Sequence, residues 1–138
     1  MMKTITLFRP VGLKEMELIA ESGFNAFPPR LAWQPIFYPV MNQQYAEQIA
    51  LEWNTNDEFS GFIGIVTAFE VNEAYLKQYE IQNVGGAIHN ELWIPAEELN
   101  DFNNNIAGTI EIVNVYFTGK SAKAENLSLN NKLEKFKK

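Results

Sequence analysis

The spacing of apolar and polar residues changes period several times along this chain, and each change predicts an element. In Thr4–Arg9, Ile5, Leu7 and Arg9 share one phase and Thr4, Thr6 and Phe8 the other. That two-residue period is a strand's, and Pro10, with no N–H to give a ladder, is expected to end it. Leu13–Ser22 places Leu13, Met16, Ile19 and Ala20 at helical spacing, with Gly23 where the first residue beyond a helix belongs. Phe24–Pro35 mixes Pro28, Pro29 and Pro35 with aromatic residues, which forbids regular helix and predicts an ordered loop lying on other structure. Ile36–Val40 reads as a short strand with Ile36, Tyr38 and Val40 in phase. Asn42 is then placed to cap a helix in which Tyr45, Ile49 and Trp53 recur every fourth residue.

Past the turn-like residues 54–61, the β-branched run Phe62–Val71 predicts a central strand, and Asn72 can cap a short helix reaching Tyr79. Gly85-Gly86 opens a strand over Ile88–Ile94, Pro95 suits the first position of a helix over Ala96–Phe102, and Thr109–Phe117 predicts a last long strand. About five strands and three or four short helices in mixed order predict an α+β domain with a mixed sheet. At 138 residues the chain fits one domain. Residues 1–118 are expected to form it, and residues 119–138 a lysine-rich tail that is either flexible or a short helix.

Composition narrows the function classes. No cysteine occurs, which removes disulfides, thiol nucleophiles and thiolate metal sites and predicts a reducing compartment. The N-terminal stretch has the form of a strand rather than a signal peptide, and no run approaches a membrane span, so a cytoplasmic protein without membrane contact is expected. Residues 1–118 carry 5 basic against 15 acidic side chains, net −10, whereas residues 119–138 carry 6 against 2, net +4. So acidic a body repels phosphate backbones, and no nucleic-acid partner is expected for it. There is one histidine, and the scattered glutamates lack ligand spacing, so no metal site is expected. Dinucleotide-fold glycine motifs, Walker loops, zinc-protease motifs and nucleophile elbows are all missing from the sequence.

What remains is a set of polar residues in strand phases or tight loops. In Ile88–Ile94 a period of two sends His89, Glu91 and Trp93 to one face and Ile88, Asn90, Leu92 and Ile94 to the other. The first face is either plain solvent or a cleft for a flat polar ligand. Arg9 reads either as a strand-end arginine paired with a nearby carboxylate or as a ligand contact. Tyr38 reads as a half-buried core tyrosine or a ligand contact, and Arg30, which follows two prolines, as a residue that pins its loop.

Four segments carry a resemblance: Leu7-Phe8-Arg9-Pro10-Val11-Gly12, Phe27-Pro28-Pro29-Arg30, Trp33-Gln34-Pro35-Ile36-Phe37-Tyr38-Pro39-Val40 and Glu91-Leu92-Trp93-Ile94-Pro95-Ala96-Glu97-Glu98-Leu99. Through them the body of the chain resembles a family of short bacterial ADP-ribosylation/crystallin-type proteins. The crystallin half of that name points to large all-helical glycohydrolases with aspartate-built magnesium sites, which a short, β-rich chain with only Asp57 and Asp101 does not fit. The other half implies a minimal ADP-ribosyltransferase-like domain. Small members of that superfamily carry a His or Arg on the first strand, a Tyr or Ser on a second strand before a helix, and a Glu on a late strand. Arg9, Tyr38 and Glu91 fall in that order.

The resemblance implies NAD as substrate. Arg9 and Arg30 would hold its pyrophosphate through forked hydrogen bonds, and Tyr38 would stack on the nicotinamide. Glu91 would favour the oxocarbenium-like transition state, while His89 and Trp93 would line the ring or acceptor pocket. The chain departs from the commoner pattern in having Arg9 where many such enzymes have His, and His89 where a second glutamate stands. The resemblance allows a protein or small-molecule acceptor; these departures count against transfer to a protein side chain and leave open simple NAD hydrolysis, a small-molecule acceptor, and a catalytically silent module that binds a nucleotide or a protein on the same fold.

Overall fold

The computed structural model describes residues 3–137, which form an α+β fold around antiparallel strands. Strand β1 (Thr4–Val11) leads into helix α1 (Leu13–Glu21), then a long loop, β2 (Ile36–Phe37) and α2 (Gln43–Glu52). Two turns of 3-10 helix precede β3 (Gly64–Asn72), followed by α3 (Glu73–Leu76), β4 (Gln82–Asn83), β5 (Asn90–Glu91) and β6 (Ile94–Pro95). Helix α4 (Leu99–Asn104), β7 (Ile106–Tyr116) and α5 (Leu127–Glu134) complete the order.

The main sheet runs β1-β3-β7, with β3 central. Single bridges extend it past β1, from Phe8 to Val40 and from Val40 to Glu91. Strand β5 pairs with β4 in turn, and β2 pairs separately with β6. One face of the sheet carries Leu7, Val11, Ile65 and Phe69 into the main core, with Met16, Ile19, Phe27, Phe37 and Phe102. The other carries Phe8, Val40 and Val66 under α2.

Several sequence expectations shift, each for a local reason. Pro10 does not end β1. Phe8 exchanges both backbone hydrogen bonds with Val40, so every second N–H of β1 points away from β3, and at Pro10 that is the side with no further partner. Helix α1 closes as expected: Gly23 has φ +76° and donates to the Ala20 carbonyl, while Phe24 donates to Ile19. The helix expected from Asn72 to Tyr79 stops at Leu76, and Asn72 does not cap it: its side-chain amide donates to Asn105 Oδ1 at 3.1 Å instead. The strand expected over Ile88–Ile94 splits into β5 and β6, which pair with different neighbours. The 24–35 loop does lie on structure, with Phe27 buried and its backbone N–H and C=O both held by Asn103 at 2.9 and 3.0 Å.

The apolar stripe of α2 lies one residue away from the one predicted. Ala46 and Ala50 are fully buried, while Tyr45 and Ile49 flank them and Trp53 is 65% exposed. At Gly64 of β3 the helix comes so close that an added Cβ would collide with the Ala50 backbone. At its start, Asn42 accepts from the Tyr45 N–H at 2.8 Å and donates to the Ile88 carbonyl at 2.6 Å. Asn42→Ala is expected to cost about 1–2 kcal/mol in chemical denaturation, since it removes a cap and a tie to the chain before β5.

Of the two forms expected for the tail, the structure takes the helix. Asn126 caps α5 through the Leu129 N–H, and Leu129 and Leu133 are buried in the main core. Leu133→Ala should therefore cost about 2–4 kcal/mol, readable as a lowered urea midpoint; a solvated tail would show no change.

Candidate functional site

A cavity of about 650 Å³ opens beside the C-terminal half of β1, within the size range of small-ligand sites. Arg9, Arg30, Tyr38 and Glu91 all line it. Pro10, Val11 and Gly12 form its floor along the strand edge left unpaired after Phe8. Gly12 is needed for close approach, because a Cβ there would collide with the Ser60 backbone.

The arginines enter on the core side. Cross-strand pairing sets Arg9 opposite Thr67, on the face that also carries Leu7 and Val11. Its guanidinium lies 4.6 Å from the centroid of the buried Phe37 ring, and Arg30 approaches the same ring at 5.9 Å. Glu15 takes Arg9 in a two-point ion pair, Nε to Oε2 at 2.7 Å and Nη2 to Oε1 at 3.0 Å, and Arg9 Nη1 also donates to the Tyr38 carbonyl at 3.3 Å. Arg30 donates to the Ile36 carbonyl, which pins its loop, and has no carboxylate within ion-pair distance among the described residues. Burial draws the Arg30 guanidinium below its usual range and repulsion from Arg9 adds to this, while Glu15 and Tyr38 oppose it. Two guanidiniums thus share one aromatic ring with one carboxylate between them, which leaves an anion-seeking charge at the cavity wall.

Glu91 comes from the opposite face of the sheet, the side of its bridge partner Val40 and of Phe8. One carboxylate oxygen accepts from the Tyr45 hydroxyl at 3.0 Å and the other from the Trp93 indole at 2.7 Å. Two donors on separate oxygens hold the group in one orientation and leave about half of its acceptor capacity for a ligand. Tyr38, 41% exposed, presents its ring at the rim.

His89, Glu91 and Trp93 do share a side, as the alternation implied, since His89 packs on Tyr45 and Trp93 bonds Glu91. Neither His89 nor Trp93 lines the cavity, however. His89 Nδ1 accepts from the Gly86 N–H at 2.7 Å, which leaves the proton on Nε2 to bond Gln48 Oε1 at 2.9 Å. It closes a tight turn and ties it to α2. Trp93 positions Glu91.

Glu15, Phe37 and Tyr45 also build the site and were not singled out from the sequence. Glu15 had only its place six residues after Arg9 to mark it, Phe37 fell in the strand phase opposite Tyr38, and Tyr45 read as part of the apolar stripe of its helix. Among the described residues no group of three or more His, Asp or Glu could hold a metal ion, and no helix is long and apolar enough to cross a membrane.

Burial, together with the bond to Glu91, pushes the Tyr45 hydroxyl up from 10.0 to about 12. Between those values the unfolded chain has released this proton and the folded chain keeps it. Stability linked to Tyr45 is thus complete below about pH 10 and declines as pH rises through about 12. In Tyr45→Phe, alkaline unfolding curves should lose that part of their pH dependence.

Comparison of the chain with protein-family models, with curated proteins and with solved structures found no match.

Proposed function

We propose that this is an ADP-ribosyltransferase-like domain that binds NAD in the cavity beside β1 and transfers its ADP-ribose to an acceptor or to water, in a cytoplasmic setting. The observation that carries this reading is that Arg9, Arg30, Tyr38 and Glu91, far apart in sequence, line one cavity of dinucleotide-compatible size. Arg30, with Arg9 beside it, answers a pyrophosphate: an anion there would offset the lost hydration of the Arg30 guanidinium and its repulsion from Arg9. Tyr38 offers a ring face for nicotinamide. Glu91, held by Tyr45 and Trp93, is an oriented acceptor for a ribose hydroxyl and a fixed negative charge for an oxocarbenium-like centre.

Two features favour a second reading, a module that binds a nucleotide without consuming it. Arg9 is already neutralised by Glu15, and the position two residues before Glu91 holds a histidine occupied in a turn. Calorimetric titration of the protein with NAD tests the binding that both readings share. Saturable binding that weakens about tenfold in Arg30→Gln supports an anion subsite at Arg30. No binding by the wild type overturns the NAD reading, and turnover divides the two readings.

A further inference from the structure

A second cavity, of about 420 Å³, opens where the turn after α1 meets β7 and α5, and it shares no lining residue with the cavity beside β1. Phe24, Ile110 and Ile112 line it, with Lys132, Lys135 and Phe136 at the end of α5. Phe24, Ile112 and Phe136 are half-buried: they pack on the main core and still leave apolar surface open. Both lysines are exposed. Neither has a carboxylate within ion-pair distance among the described residues, although Glu111 borders the same cavity. Lys132 Nζ lies 5.0 Å from the centroid of the Phe24 ring, so a cation and an apolar face stand side by side.

The backbone around the cavity adds to this. Strand β7 is the outer strand of the main sheet, and at Ile110 its N–H turns away from β3 to meet the Phe24 carbonyl at 2.7 Å. Ile112, two residues on and opposite Thr67, turns its N–H to the same open edge. Phe24 has φ +63°, a conformation costly for a bulky residue, which the tight close of α1 imposes. Two unpaired ammonium groups call for an anion, an edge N–H can only donate to one, and the aromatic and branched faces call for an apolar body. Residues 1–118 carry net −10, so a cavity with two lysines against Glu111 is a place where an anion is drawn in rather than repelled. We propose that this cavity binds an apolar carboxylate, an acyl or aryl acid whose head lies between Lys132 and Lys135 and whose body lies on Phe24 and Phe136.

The test is a titration of the full chain with octanoate and with 2-naphthoate, each beside its matching uncharged alcohol, followed by amide chemical shifts. At least one acid is expected to saturate with a Kd of roughly 0.1–1 mM, with the shifts centred on Phe24, Ile112 and Lys132. The tighter of the two shows whether a chain or a ring fits the cavity. Each alcohol should bind about tenfold more weakly than its acid. Replacing both lysines, Lys132→Gln with Lys135→Gln, should weaken the acid by about tenfold as well. The thermal melt of that variant should stay close to wild type, since both side chains are exposed. Lack of saturation by either acid overturns the proposal. So does an alcohol bound as tightly as its acid, an affinity undiminished in the double variant, or a set of shifts centred on Arg30 instead.

Discussion

Replacing Glu91 with glutamine is expected to slow NAD consumption by about a hundredfold or more while leaving NAD affinity and folding close to wild type. The rate effect follows from charge: a fixed carboxylate beside developing positive charge stabilises the transition state far more than the ground state, and losing such a group typically costs 10² to 10³ in rate. The stability side follows from the contacts. Glutamine matches glutamate in shape, and its Oε1 can still accept from Trp93, while the new NH2 faces the Tyr45 hydroxyl, which can turn to accept. The check is nicotinamide release under single-turnover conditions beside a calorimetric titration and a thermal melt. An unchanged rate would remove Glu91 from the chemistry, and tight binding with no turnover in either protein would select the silent module.

The largest expected loss of stability is at Phe37. Its ring is fully buried, 5.0 Å from Phe27 and 5.3 Å from Phe102, and it underlies both cavity arginines. Phe37→Ala should cost about 3–5 kcal/mol in urea denaturation, the combined effect of lost burial and an unfilled cavity. Against a typical domain stability of roughly 5–15 kcal/mol, that brings the protein near unfolding at moderate temperature. Phe37→Leu separates packing from recognition. It retains most of the volume and should cost less than about 1.5 kcal/mol. It also removes the π face that the guanidiniums share, so anion and NAD binding should weaken by more than the stability change implies. Binding unchanged in Phe37→Leu would show that Glu15 and the loop carbonyls hold the arginines unaided.

Much of the fold is legible along the chain because it depends on neighbours in sequence. The α+β class, helix α1 with its glycine terminus, the Asn42 cap and the central position of β3 all follow from local periodicity and capping chemistry. The failures are equally physical. The stripe of α2 differs from the expected one because large residues look more like core than alanine does, yet Ala46 and Ala50 are the buried ones, with Ala50 set close against Gly64 of β3. The break inside Ile88–Ile94 left no trace in the alternation, since either half satisfies a two-residue period. Whether residues 119–138 would pack depended on a hydrophobic surface elsewhere in the chain, and Leu129 and Leu133 found it.

The candidate site divides along the same line. Sequence alone singled out Arg9, Arg30, Tyr38 and Glu91 as polar or amphipathic residues out of keeping with their surroundings, and alternation placed His89, Glu91 and Trp93 on one side. Only tertiary structure decided what they do together. It brought Arg9 and Glu91 to one cavity from opposite faces of the sheet, paired Arg9 with Glu15, left Arg30 without a carboxylate among the described residues, and set His89 to hold a turn. Periodicity reports the face on which a side chain stands, because that depends on backbone geometry within a few residues. Which charges meet, and which are left over, depends on contacts between segments tens of residues apart, and these form only when the chain closes on its core.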